Sequence, residues 1–237
     1  MDYIDVYKRR LNRYGLDYQS RVQGQRDRNF EDYLLKSIYR VDFWYNDTFT
    51  PATLERYKQD YSEIQCYLLT RRELDLPNGT ILMIESRDGT TKPWMVWWKE
   101  EIEASGYNRY VVLKMTHTIT WRDAENILHE QWAFFSGPGN ANMSDTLKSP
   151  SGEAIYKENN NLYMFVTSYN NKIVRDTYFE ITFKDTTTAY VVLESDVNST
   201  PGVIYATADS SYIRDESADS EGKAPSAASF WFNGGNN

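Results

Sequence analysis

A chain of 237 residues is long enough to bury a real core in one large or two small domains. Its formal charge of −8 argues against a protein that holds nucleic acid by neutralising phosphates. One cysteine, Cys66, leaves no internal disulfide and no multi-cysteine metal site, and inside "EIQCYLL" it reads as a small buried hydrophobe. Aromatics make up 15% of the residues, 19 of them Tyr, a bias that suits pleated surfaces. The start, "MDYIDVYKRRLNRYG", lacks the apolar core of a signal peptide, and no apolar run approaches the ~20 residues that span a bilayer. The expectation is a soluble chain made in a reducing cytoplasm, with no membrane partner.

The first 40 residues hold nine Lys and Arg against six Asp and Glu, a net of +3, which leaves −11 for the remainder. "DVYKRRLNRYG" and "YQSRVQGQRDRNFEDYLLKSIY" read as helices. In the second, Val22, Phe30, Leu34 and Ile38 recur at roughly helical spacing among charged residues, and Gly15 is placed to stop the first. This arm, 1–40, is too polar to form a core alone. It lies either on its own sheet or on a neighbouring subunit, and Lys8, Arg9, Arg10, Arg13 and Tyr14 are its candidate docking residues.

From residue 41 the pattern turns to strands. "VDFWY" is followed by "TPATLERYKQDYSE", which reads as a bridging loop or a short helix with Thr50 as cap and Pro51 in its first position. "EIQCYLL", "TILMIES", "WMVWW", "YVVLKMTHTIT" and "ILHEQWAFF" complete a six-strand first β unit over 41–135, antiparallel because its connections are short. The Gly-, Ser- and Pro-rich stretch 136–154 reads as a linker loop. "NLYMFVT", "YFEITF", "TAYVVLE" and "GVIYATA" form a second unit over 155–214, a small sandwich or barrel. The acidic segment 215–237 reads as a flexible tail. It ends on a sticky tip, Phe230, Trp231 and Phe232, that either docks on a partner or folds back on its own domain. The expected fold is therefore mainly β (α+β), an N-terminal helical arm followed by two small antiparallel β barrel or sandwich units.

Chemistry finds little support in the motifs. Strict alternation puts Val111, Leu113, Met115, His117, Ile119 and Trp121 on one strand face, so His117 reads as a structural histidine in an apolar stripe. His129 shares no HxH or HExxH spacing with it, and no nucleophile elbow, phosphate loop or dinucleotide fingerprint is present. A hydrolase would need a carboxylate pair in a cleft, and Glu100, Glu101 and Glu103 of "WWKEEIE" read instead as a solvated bend. No catalytic residue, metal site or cofactor is predicted. In "WMVWW", alternation sends Trp94, Val96 and Trp98 one way and Met95 and Trp97 the other; a sugar-binding platform would require that row to be exposed.

"VYKRRLNRYG", "YLLTRREL", "EASGYNRYVVLKMTHTITW" and "STPGVIYATAD" together resemble a family of virion structural proteins of tailed bacteriophages, the head-closure, neck or head–tail connector components. The resemblance is spread over residues 1 to about 213. It implies a homo-oligomeric ring, commonly of twelve copies, with a portal or adaptor protein above and a tail or neck protein below. It implies a place in the virion neck after assembly in the host cytoplasm. Packaged DNA would pass through without sequence-specific binding, which an acidic average suits because like charge disfavours sticking. A tail-completion or tail-tube-proximal ring is the nearest alternative. On this reading Glu100, Glu101, Glu103, Tyr107, Asn108, Arg109 and Tyr110 form a candidate loop facing the ring lumen or the next ring, and a deletion of 101–108 should spare folding.

Overall fold

The computed structural model describes residues 3–11, 17–45, 48–56, 64–85, 89–102, 105–123, 125–136, 163–183 and 186–210. The linker stretch beyond residue 136 and the tail with Phe230, Trp231 and Phe232 lie outside them. Two helices, α1 (Tyr3–Leu11) and α2 (Tyr18–Lys36), lead into β1 (Arg40–Tyr45), β2 (Thr48–Arg56), β3 (Gln65–Arg71), β4 (Ile81–Glu85), β5 (Thr91–Glu100) and β6 (Tyr107–Lys114). Then follow β7 (His117–Arg122), β8 (Leu128–Ser136), β9 (Tyr163–Ser168), β10 (Tyr178–Phe183), β11 (Thr186–Asp196) and β12 (Val203–Asp209). The protein is mainly β, and its strands close two antiparallel barrels of six. The first runs in the order β1-β2-β3-β6-β5-β4 and the second β10-β11-β12-β9-β8-β7.

Each barrel is filled by one face of its own strands. The first encloses Phe43, Ala52, Leu68, Leu82, Ile84, Val96, Tyr110 and Val112. The second encloses Ile119, Trp121, Ala133, Phe165, Phe179, Ile181, Tyr190 and Val192. Among the described strands closure leaves no long open edge of the kind that templates aggregation.

The boundary between the barrels falls inside "YVVLKMTHTITW". Instead of one strand, the run is two: Met115 N–H donates to the Pro93 carbonyl of the first barrel (3.0 Å), and Thr116 N–H to the Ala133 carbonyl of the second (3.0 Å). The chain changes barrel between adjacent residues. β7 and β8 therefore complete the second barrel, whereas the sequence groups them with the first unit. The shared stripe divides as well: Val111, Leu113 and Met115 join the layer between barrels, and Ile119 and Trp121 fill the second interior.

The "TPATLER" stretch is neither a loop nor a helix but strand β2. Alternation explains it: Ala52 and Leu54 pack into the barrel, while Phe49 and Pro51 face outward. Pro51 lies in the half of β2 that pairs only with β1, since pairing to β3 begins at Thr53. A missing N–H is tolerated at such a position.

A third cluster fuses the barrels. Met95, Trp97, Trp98, Val111 and Leu113 from the outer face of the first barrel meet Phe134, Val166, Val203 and Tyr205 from the outer face of the second. Simple alternation puts Trp98 with Trp94, but a β-bulge shifts the register between Val96 and Trp98. The extra residue turns Trp98 to the same side as Trp97, with ring centroids 4.6 Å apart, edge to face. Trp97 Nε1–H donates to the Tyr205 hydroxyl, which also pairs with Thr200 Oγ1 at 2.7 Å. At one end of this seam two glycines cross. Gly79 (φ +83°) and Gly202 (φ +85°) approach so closely that a Cβ on Gly79 would stand 1.9 Å from the Gly202 carbonyl oxygen.

Helix α2 is capped by Asp17, whose Oδ1 accepts from Ser20 N–H at 2.8 Å. Phe30 and Leu34 are its buried residues, packed with Leu69 and the rings of Tyr67 and Tyr107 on the outside of β3 and β6. Of the four predicted stripe residues, Ile38 falls past the helix end and is exposed.

Candidate assembly surfaces

The predicted lumen loop divides between strand and turn. Glu100 ends β5 in register with Arg109 of β6; the two form a 2.6 Å ion pair, and the guanidinium lies 4.8 Å from the centroid of the Tyr67 ring. Tyr107 packs against Phe30 with tilted rings, centroids 5.1 Å apart, and Asn108 Nδ2 donates to the Leu74 carbonyl at 2.7 Å. Tyr110 is wholly buried; its hydroxyl donates to the Leu74 carbonyl (2.9 Å) and accepts from Leu76 N–H (3.1 Å), and burial pushes its ionisation upward. Glu101 is exposed, and Glu103 lies outside the described residues.

The turn between these strands is held by α2. Gln23 Nε2 donates to the Ser105 carbonyl at 3.1 Å, and a Cβ on Gly106 would meet the Arg26 backbone at 2.5 Å. Removing 101–108 would strip Tyr107 and Asn108 from β6 and take away the Ser105 and Gly106 contacts of α2, so that deletion is expected to disturb the fold, not to spare it. Arg71 and Glu31 fasten the same helix with a two-pronged pair at 2.5 and 2.9 Å.

The tryptophan row is not a platform. Trp94, Trp97 and Trp98 are 6%, 0% and 7% exposed, so no sugar ring can lie on them. His117 is half-buried edge-on to Phe135 at 5.8 Å, with Nδ1 2.8 Å from Thr116 Oγ1; burial pushes its pKa down. His129 belongs to a network the sequence does not reveal. Its Nε2 lies 2.8 Å from Asp123 Oδ2, its ring stacks on Trp121, and Lys172 Nζ reaches the same carboxylate oxygen at 2.8 Å. Lys172 first, then His129, hold the Asp123 carboxyl well below the usual carboxylate range. Asp123 Oδ1 meanwhile accepts from Ile127 N–H at 2.9 Å, so the network fastens the β7–β8 turn. Lys172 stands 49 residues from Asp123, too far for any spacing rule. Among the described residues no group of three or more His, Cys, Asp and Glu could hold a metal ion.

Outward apolar residues are spread over the described surface, Leu35, Ile38, Ile127, Leu128, Tyr169 and Val174 among them, and two groups are aromatic and clustered. On α1, Tyr3, Ile4 and Tyr7 are 80%, 55% and 54% exposed at helical spacing, and Lys8, Arg9 and Arg10 are exposed in its last turn. Arg13 and Tyr14 of the predicted docking arm lie outside the described residues. On the first barrel, Trp44 of β1 and Phe49 of β2 are cross-strand partners with ring centroids 5.3 Å apart, 57% and 46% exposed. Among the described residues no helix is long and apolar enough to cross a membrane.

No protein-family model matches the chain, and no curated protein matches it in sequence. Solved structures that align with it include K. pneumonia MrkH in complex with c-di-GMP, at 9% identity and a TM-score of 0.26, over 81% of this chain and 87% of that one. MrkH in its apo state aligns at 10% identity and a TM-score of 0.25, over 81% and 85%. Superposition this loose carries no argument about what this chain does.

Proposed function

We propose that this chain is a virion structural protein of a tailed phage, a head–tail connector or head-closure component. In that role it forms a homo-oligomeric ring, commonly of twelve copies, below the portal or an adaptor and above a tail or neck protein. It acts by assembly, without catalysis or cofactor, and packaged DNA passes through it without sequence-specific binding. The observation that carries this reading is the division of the aromatic residues. One set welds two barrels into a frame, and another, Tyr3 and Tyr7 on α1 with Trp44 and Phe49 on the first barrel, stays outward on an acidic chain. Large exposed apolar groups are costly unless something covers them, and contact with further copies or neighbouring rings does so. The sequence resemblance supplies the virion setting.

The arm residues Lys8, Arg9, Arg10, Arg13 and Tyr14 would serve lateral or axial docking, and Phe230, Trp231 and Phe232 a second contact. Glu101 and Glu103 are the acidic positions left to face the lumen. Depletion of the protein during phage growth tests the reading. Filled heads that lose DNA or fail to take up tails are expected; normal yields of tailed, DNA-retaining particles would overturn it.

A further inference from the structure

The two outward aromatic groups are chemically matched, and the fold leaves both uncovered. Helix α2 packs Phe30 and Leu34 on the outside of β3 and β6, and its Tyr33 hydroxyl donates to Glu55 Oε1 of β2 at 2.7 Å. The outer face of β4, β1 and β2 carries Met83, Trp44, Phe49 and Pro51, because Ile84, Phe43 and Ala52 take the inner one. Two carboxylates flank these residues, Asp42 and Glu85, which are register partners. Arg40 already stands 3.7 Å from Asp42, whereas Glu85 is exposed.

Helix α1 presents the complementary pattern. Tyr3 and Tyr7 lie one turn apart on one stripe, and three cations, Lys8, Arg9 and Arg10, follow in the last turn. Tyr3, Tyr7, Trp44 and Phe49 all stay exposed in the one chain, so α1 does not cover the Trp44 face of its own copy. We infer that α1 docks on the Trp44–Phe49 face of a second copy of this chain, with its tyrosines on the aromatic pair and its cations against Asp42 and Glu85. This rests on the assembly reading above and names the contact it would use. Because donor and acceptor surfaces differ, the contact is heterologous, the kind that propagates from copy to copy and closes a ring when the rotation allows.

Sedimentation velocity of the full chain tests it, with two variants: Tyr3→Ser with Tyr7→Ser, and Trp44→Ser with Phe49→Ser. All four positions are exposed, so circular dichroism should show both variants folded. The wild type should associate beyond a dimer in a concentration-dependent way, less so as salt screens the cations. Each variant alone should sediment as a monomer. An equimolar mixture should form heterodimers and stop there, since each variant keeps one intact half. A wild type that stays monomeric, a variant that associates like the wild type, or a mixture that fails to pair would each overturn the inference. Association that survives the substitutions in a protein whose depletion still uncouples heads from tails would remove this contact while leaving the connector reading in place.

Discussion

Trp97 and Trp44 stand in the same barrel with only β4 between their strands, both on its outer face, and their surroundings are opposite. Trp97 sits at a bulge, wholly buried, its indole N–H bonded to Tyr205 of the other barrel. Trp44 sits in regular pairing, 57% exposed, touching the Phe49 ring. The same side chain is thus a structural weld in one place and a candidate contact in the other. What separates them is whether a second barrel lies opposite. Burial of the first set belongs to the fold of one chain; burial of the second would belong to an assembly.

That contrast can be broken experimentally. Trp97→Ala leaves a cavity in the seam and removes one of the two partners of the Tyr205 hydroxyl, so a loss of about 3–5 kcal/mol is expected in chemical denaturation. If the barrels act as one frame, both should unfold in a single shifted transition; a second transition at the original midpoint would show them independent. The glycines sharpen the point. Gly79 and Gly89 share positive φ, +83° and +75°, but a Cβ on Gly89 meets nothing within 4 Å. Gly89→Ala should lose about 1 kcal/mol from backbone strain alone, and Gly79→Ala about 2 kcal/mol or more, because the Gly202 backbone must also move.

A gentler probe is acid. The folded Asp123 carboxyl ionises below its unfolded value of about 3.9, so its contribution is fully present above that pH and is lost as pH falls through and below it. Asp123→Asn should therefore flatten the loss of stability below about pH 4, measured by thermal melts across that range; an unchanged acid limb would show that other carboxylates dominate. The smallest effect is expected at Trp44. Trp44→Ser should change stability by no more than about 0.5 kcal/mol, as for a surface substitution, while weakening association. A large loss would place Trp44 in the core account.

Much of this was legible in the sequence, and for definite reasons. β-rich runs bounded by turn residues marked β1, β9, β10, β11 and β12, and helical spacing marked the Phe30–Leu34 face of α2. Three things were not legible. The bulge at Trp97 breaks period two without leaving any mark in the residue types. The change of barrel at Met115 and Thr116 is a matter of which distant strand takes each N–H. The cover over an outer face depends on another unit, so alternation could sort Trp97 from Trp94 but could not tell Trp97 from Trp44. The Asp123–Lys172–His129 network was hidden for the same reason, since closure of the second barrel brings its members together.

Cryo-electron microscopy of intact particles, with this chain located by its density, bears most directly on the claim that the frame exists to be assembled. The account predicts a ring between portal and tail, with the Trp44–Phe49 face covered by a neighbour. Particles that lack the chain, or that carry it away from the neck with this face open to solvent, would contradict it.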